Sequence, residues 1–127
     1  MNKSAIIIGI KGLNLSLDEK KLLQEKQPLG VILFKRNINN PRQILRLTKS
    51  IREILGKEAM ILIDQEGGRV SRLNKSYWRT YPDATYFGKI ANSNLAIAKK
   101  LTYENFKDIG IDLHKLGINF NCSMHLR

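Results

Sequence analysis

The stretch ILIDQEGGRVSRL, residues 61–73, passes from an apolar run into an acid, two adjacent glycines and two arginines. An apolar run of this kind is typical of a strand that is covered on both faces. Asp64 follows the run directly, where an ionised carboxylate needs a ligand, a cation or backbone donors to be stable. The stretch therefore predicts either a turn between two core elements or one wall of a binding site.

Four short apolar runs have the length of a strand. They are AIIIGI at 5–10, GVILF at 30–34, AMILI at 59–63 and GINFN at 117–121. The first three are nearly continuous rather than alternating, which favours parallel strands buried between two layers of helices.

Helical patterns separate these runs. Ser16 and Glu19 have the spacing of a capping box, ahead of a buried stripe that begins at Leu22 and Leu23. A second helix is predicted from Pro41, with Asn40 as its N-cap and Gly56 as its stop. Its apolar face holds Ile44, Leu47, Thr48, Ile51, Ile54 and Leu55.

The third helix is predicted to be longer, from about residue 92 to residue 115, with Gly117 as its stop. A shorter helical turn is expected before it, near residues 84–90. The residues expected to face inward in the long helix are Leu95, Ala98, Leu101, Ile109, Leu113 and Leu116.

The resulting order, β-α-β-α-β, a long loop, then α-β, predicts an α/β fold whose parallel strands are joined by right-handed crossovers. Residues 1–127 are expected to form a single domain. Two architectures accept the order: a doubly wound sheet that is complete in itself, and the N-terminal half of a (β/α)8 barrel, which needs about 250 residues when complete. The apolar pattern leaves both open.

The chain is strongly basic, with 22 Lys and Arg against 11 Asp and Glu, a net charge of +11. Such a charge makes nucleic acid or an anionic polymer a partner to consider, and a basic binding module is an alternative function. The lysines are scattered, however, with acids near them and no basic block of five or more. A solvated surface is therefore favoured over a nucleic-acid partner.

Composition also bears on location. Cys122 is the single cysteine, so an internal disulfide is excluded and a reducing compartment is favoured. The first apolar run has six residues, which is too short for a secretory signal or a membrane span. We expect a cytoplasmic protein without a membrane partner.

The polar residues after the strand runs are the candidate site, because loops at the carboxyl ends of parallel strands meet above the sheet. Gly67 and Gly68 permit positive φ and suggest that backbone or ligand approaches them closely. Arg69 and Arg72 supply forked donors suited to carboxylates, phosphates or sugar hydroxyls. The alternative is a glycine turn with an internal pair between Asp64 and an arginine.

Asp64 and Glu66 would point the same way in an extended segment, with about 6–7 Å between their α-carbons. That spacing suits paired carboxylates in glycoside hydrolysis, unless a turn at Glu66 redirects its side chain. Lys35, Arg36 and Asn37 follow the second strand and reach the same face of the sheet. The long loop carries aromatic residues that either stack on a ligand or cover the sheet: Tyr77, Trp78, Tyr81, Tyr86 and Phe87.

Neither histidine, His114 or His125, has an acid or cysteine at metal-ligand spacing. We therefore expect no metal site, and the isolated histidines are interpreted as structural or exposed.

Three segments, GVILFKRN, ILIDQEGGRVSRL and GINFN, resemble in order and spacing the N-terminal part of glycoside hydrolase family 3. They are most similar to the cytoplasmic β-N-acetylglucosaminidases of bacterial cell-wall recycling. The resemblance covers nearly the whole chain, and D-Q-E-G-G-R-V is a highly specific part of it. It favours the barrel and implies removal of terminal N-acetylglucosamine from muropeptides with retention of configuration, without metal or organic cofactor.

The resemblance also implies roles for individual residues. Asp64 would accept hydrogen bonds from hydroxyls of the terminal sugar, and Arg72 would assist in the same pocket. Arg36 and Asn37 match loop residues with an architectural role. Glu66, Gly67, Gly68 and Arg69 would be structural members of the motif.

The sequence departs from the family after GINFN. Family members continue with a segment like F-A-P-V-x-D-V, whereas this chain reads CSMHLR. The K-H-F-P-G-H-G loop with its acid/base histidine, and the later nucleophilic aspartate, have no counterpart, and His125 follows no such loop. We therefore expect no catalytic residue here, a truncated enzyme that is inactive alone, and open first and fourth strands that a complementary C-terminal half would cover.

Overall fold

The computed structural model describes residues 3–123. The elements in chain order are β1 (Ser4–Gly9), α1 (Leu17–Lys26), β2 (Pro28–Leu33), a 3-10 turn (Lys35–Asn37), α2 (Pro41–Leu55), β3 (Met60–Ile63), α3 (Ala84–Ser93), α4 (Leu95–Lys115) and β4 (Phe120–Asn121).

The strands form one parallel sheet in the order β1-β2-β3-β4. Each strand lies beside its neighbour in sequence, so the chain winds in one direction only. A doubly wound sheet reverses its direction at a switch point, whereas consecutive parallel strands are the arrangement of a (β/α)8 barrel. The predicted α/β fold and barrel-type half are confirmed, and the sheet is not closed.

Helix α2 matches its prediction most closely. The Asn40 side chain accepts a hydrogen bond from Gln43 N at 2.9 Å, Pro41 is the first helical residue, and Gly56 ends the helix with φ of 91°. Its apolar face is buried against the sheet, with Ile44 and Ile51 fully inaccessible. This helix and strands β2 and β3 form the centre of the hydrophobic core.

The capping box of α1 is present, since Ser16 Oγ accepts from Glu19 N at 3.1 Å and Glu19 Oε2 accepts from Ser16 N at 2.8 Å. The buried stripe expected there is only partly right, because Leu23 is buried and Leu22 is exposed.

The prediction for the long helix is also partly wrong. Ala98, Ile109, Leu113 and Leu116 are buried, but Leu95 and Leu101 are exposed. Leu95 lines an open groove between α3 and α4. Periodicity identifies the apolar face of a helix and does not say whether another element covers it.

The outer strands are open. Within residues 3–123, β1 and β4 each have one neighbouring strand. Ile6 and Ile7 on β1 are 49% and 41% exposed, and Phe120 on β4 is 48% exposed. Across the same part of the chain, no helix is both long and apolar enough to cross a bilayer.

Candidate functional site

Asp64 and Arg72 form an ion pair at the carboxyl end of β3. Arg72 Nη2 donates to Asp64 Oδ2 at 3.3 Å, and the two side chains are 27% (Asp64) and 26% (Arg72) exposed. The contact joins one carboxylate oxygen to one guanidinium nitrogen, and Arg72 Nε is buried without a partner among the described residues. A paired but partly open carboxylate and guanidinium can together bind a polyhydroxylated ligand.

Gln65 organises the segment that carries Arg72. Its side chain is fully buried, and Oε1 accepts from Arg72 N at 2.8 Å and from Leu73 N at 3.4 Å. Its Nε2 donates to Ser71 Oγ at 3.0 Å. Because buried polar groups are stable only when hydrogen-bonded, this carboxamide fixes the path of residues 71–73. Sequence reasoning missed Gln65, because a single carboxamide that follows Asp64 has no pattern to indicate its buried partners.

Asn121 holds the other side of Gln65. Its Oδ1 accepts from Gln65 N at 2.9 Å and its Nδ2 donates to Gln65 O at 2.8 Å. Asn119 makes the same kind of two-bond clamp further down β3, with Ile61 N at 2.8 Å and Ala59 O at 3.1 Å. These side chains add four hydrogen bonds to the contact between the short strand β4 and the segment that contains β3.

The glycine turn follows the pair. Gly67 and Gly68 have φ of 107° and 57°, and Glu66 N and Gly67 N both donate to Val70 O, at 2.9 and 3.1 Å. Gly68 N donates to the Tyr81 carbonyl at 2.9 Å, and a Cβ on Gly67 would overlap the Pro82 carbonyl. The protein itself therefore makes the close approach that the two glycines permit, with the Pro82 carbonyl at Gly67 and the Asp83 side chain at Gly68.

Glu66 and Arg69 lie apart from Asp64. Both line a cavity of about 520 Å³ bounded by Asp83, Phe87 and Phe106, among others, and neither Asp64 nor Arg72 is part of its lining. An extended segment would place the two acids side by side, whereas the turn that begins at Glu66 gives them different surroundings: Glu66 lines this cavity and Asp64 does not.

Arg36 and Asn37 join the loops that follow β1 and β2. Arg36 Nε donates to Ile10 O at 3.0 Å, and Asn37 Nδ2 donates to Ile10 O at 3.1 Å and Gly12 O at 2.8 Å. Asn37 is fully buried, and the Arg36 guanidinium lies 4.7 Å from the centre of the Phe34 ring. These contacts fasten the loop after β2 to the loop after β1, as an architectural role would require.

Tyr81 attaches the end of the long loop to α4. Its Oη donates to Asp112 Oδ2 at 2.6 Å, and Arg79 Nε contacts the same oxygen at 3.4 Å. Burial and the hydrogen bond to Asp112 raise the pKa of Tyr81 above its ordinary value. This ring is buried against the core, so it covers the sheet and is not available for stacking on a ligand.

Cys122 comes after β4, and its amide donates to Ile63 O at 2.7 Å. Burial and the charge of Asp64 raise the pKa of the Cys122 thiol, which disfavours the reactive thiolate. His114 is exposed in the last turn of α4, and His125 lies outside the described residues. Over residues 3–123, no cluster of three or more His, Cys, Asp or Glu could hold a metal ion.

Known proteins are similar to this chain in sequence and in fold, although no family model matches it. The β-hexosaminidase of Nitrosospira multiformis is 31% identical over 121 residues, covering 95% of this chain and 34% of the relative. The β-hexosaminidase of Vibrio cholerae is 38% identical over 85 residues, covering 67% and 26%. The glycoside hydrolase family 3 β-N-acetylglucosaminidase of Paenibacillus is 34% identical, with a TM-score of 0.75 over 91% of this chain and 21% of that one. The chain belongs to glycoside hydrolase family 3.

NagZ from Neisseria gonorrhoeae extends the family 3 comparison. Its native structure has a TM-score of 0.88 at 27% identity, covering 94% of this chain and 35% of NagZ. A second NagZ structure is in complex with N-trifluoroacetyl-D-glucosamine. This family 3 chain corresponds to the N-terminal part of such enzymes. It spans about a third or less of the length of the curated relatives, 34% of one and 26% of another.

Proposed function

We propose that this chain forms the sugar-recognising wall of a β-N-acetylglucosaminidase, in which Asp64 and Arg72 bind a terminal N-acetylglucosamine. The observation that carries the proposal is the partly open Asp64–Arg72 pair at the carboxyl end of β3. A carboxylate accepts from sugar hydroxyls and a guanidinium donates to hydroxyl oxygens, so the two together suit a sugar edge. Muropeptides in the cytoplasm are the substrate and location that the family resemblance supports.

The same proposal includes inactivity of this chain on its own. Retaining hydrolysis requires an acid/base group and a nucleophile on opposite sides of the glycosidic bond. The K-H-F-P-G-H-G loop does not occur in the 127 residues, and Glu66 lines a cavity that Asp64 does not line. Binding without turnover is therefore the expected behaviour.

A fluorine NMR titration with N-trifluoroacetyl-D-glucosamine tests sugar binding. We expect saturable broadening of the ligand signal by the wild-type chain, and about tenfold weaker binding in Asp64→Asn and in Arg72→Gln, because each removes a charged hydrogen-bonding partner. Glu66→Gln is the matched control, since it neutralises a nearby carboxylate that lines a cavity without Asp64 or Arg72, and its affinity should be unchanged. Absence of saturable binding, or equal affinity in Asp64→Asn, would contradict the proposal.

Turnover is checked separately with a chromogenic N-acetylglucosaminide. We expect no release of chromophore above the buffer rate. Release that disappears in Asp64→Ala would show that the chain is active alone.

We also propose that a complementary C-terminal polypeptide, carrying the remaining β/α units, completes the site. Support comes from the open edges of β1 and β4 and their exposed apolar side chains Ile6, Ile7 and Phe120. Apolar residues on an unpaired strand favour pairing with a further strand. Co-expression with the remaining two thirds of a β-hexosaminidase relative should give glycosidase activity and one cooperative melting transition; no change in either would count against completion.

A further inference from the structure

We propose that Asn121 and Gln65 are positioning residues that set the geometry of the Asp64–Arg72 pair, so that sugar affinity depends on the end of β4. The inference rests on the proposed sugar-binding function and identifies residues that position that same site. It is carried by a continuous series of hydrogen bonds from β4 to Arg72.

The first step is the attachment of the peptide after Asp64. Backbone pairing between the two strands ends where Cys122 N donates to Ile63 O at 2.7 Å, one residue before Asp64. Beyond that point the contact is made by the Asn121 side chain, which accepts from Gln65 N at 2.9 Å and donates to Gln65 O at 2.8 Å. Since Gln65 directly follows Asp64, this clamp fixes the direction in which the carboxylate leaves the sheet.

The second step leads from the Gln65 main chain to Arg72. The Gln65 side chain is fully inaccessible, and its Oε1 accepts from Arg72 N at 2.8 Å. Because the Gln65 end of this bond is fully buried, a change in the position of Gln65 must either move Arg72 or leave the Gln65 carboxamide short of a partner. Asn121 therefore acts on both members of the pair through one residue.

The chain contains a matched control for this idea. Asn119 also accepts from one backbone amide and donates to one carbonyl, with Ile61 N in β3 and Ala59 O just before it, at the end of the strand away from Asp64. If both asparagines only fasten β4 to β3, their alanine variants will lose stability and sugar affinity in parallel. If Asn121 also positions the site, the two variants will differ in affinity at a similar loss of stability.

The experiment compares Asn121→Ala and Asn119→Ala in the full chain by chemical denaturation, by fluorine NMR titration with N-trifluoroacetyl-D-glucosamine, and by native-state amide exchange. We expect Asn121→Ala to weaken sugar binding about tenfold and to lower protection of the Gln65 and Arg72 amides. Asn119→Ala should lower protection of the Ile61 amide and leave sugar affinity within about twofold of wild type.

Equal affinity losses in the two variants, or an Arg72 amide that stays protected in Asn121→Ala, would overturn the inference. If the wild-type chain binds no sugar, the proposed function fails, while the exchange pattern at Gln65 and Arg72 still decides the positioning role. Should an alanine variant not fold, Asn121→Ser and Asn119→Ser replace the pair, because each shortens the side chain so that it no longer spans both hydrogen bonds, and neither adds a charge. The same difference between the two positions is then expected, and its absence overturns the inference.

Discussion

At the scale of single residues, Gly67 shows most directly how the turn depends on its sequence. Its φ of 107° is a backbone conformation that residues with a side chain rarely adopt, and an added Cβ would overlap the Pro82 carbonyl. We expect Gly67→Ala to lower the free energy of unfolding by about 2–3 kcal/mol, from backbone strain and displacement of residues 81–83. Urea denaturation measures the change.

Gly110→Ala is the control for that substitution. Gly110 lies within α4, has ordinary helical φ, and an added Cβ there meets nothing within 4 Å. Alanine should raise the free energy of unfolding by about 0.5–1 kcal/mol, because it restricts the unfolded chain and suits a helix. If Gly67→Ala and Gly110→Ala lowered the free energy of unfolding equally, the strain expected from a side chain at Gly67 would be contradicted.

The site residues divide according to the signal each leaves in sequence. Asp64 and Arg72 are predictable as candidates, because charged residues after a buried strand need partners and the stretch ILIDQEGGRVSRL, which contains both, has a family parallel. Gln65 and Asn121 leave almost no signal in the sequence, since a single buried carboxamide has no periodicity and its partners are mostly main-chain atoms. Their roles as hydrogen-bond partners depend on three-dimensional contacts between residues 56 positions apart.

At the scale of elements, the long loop between β3 and α3 is fastened to α4 by Tyr81 and Asp112. Replacing Tyr81 by Phe removes a 2.6 Å hydrogen bond and leaves the ring in place. We expect Tyr81→Phe to lower the free energy of unfolding at neutral pH by about 1–2 kcal/mol. Tyr103→Phe, at an exposed position on α4, should leave the free energy of unfolding nearly unchanged.

The effect of Tyr81 also depends on pH. Burial and the bond to Asp112 raise its pKa in the folded state, so the unfolded tyrosine, with a pKa of about 10, ionises first. The contribution of the Tyr81 hydroxyl to the free energy of unfolding is therefore complete below the unfolded pKa and is lost as pH rises towards the folded pKa. The difference between wild type and Tyr81→Phe should be constant from pH 7 to about 9 and shrink above about 10. Denaturation at several pH values checks this, and a difference that grows with pH would contradict it.

The helices differ in how well their sequences predict them. Helix α2 has a cap, a proline start, a glycine stop and one apolar face that the sheet covers, so every local signal agrees with its environment. Helix α4 has an apolar face as well, but at Leu95 and Leu101 that face remains exposed. Its boundaries follow from local chemistry, whereas its burial depends on which elements surround it.

At the scale of the whole molecule, apolar runs give four parallel strands but not their order, because both a doubly wound sheet and a barrel contain such runs. The spatial order β1-β2-β3-β4 distinguishes them. Order is set by how each crossover packs on the sheet, a property of the assembled layers that no single segment of the sequence expresses.

The open sheet and the charge of +11 act in opposite directions on association. Exposed Ile6 and Ile7 on an unpaired strand favour contact between copies, while like charges on two molecules repel each other at low ionic strength. We therefore expect the 14.6 kDa chain to sediment nearer to its monomer mass in dilute buffer and to associate as salt is raised towards about 0.5 M.

Substitution at the edge strand separates the two contributions. Ile6→Lys places a charge on β1 and should reduce association at high salt by about tenfold in dissociation constant, because it disfavours strand pairing. Leu17→Lys is the control, since Leu17 is even more exposed but belongs to the start of helix α1 and not to a strand. Sedimentation velocity over a range of concentrations measures both variants. If the two lysines reduce association equally, added charge alone accounts for the effect and the open edge of β1 is not the surface through which copies meet.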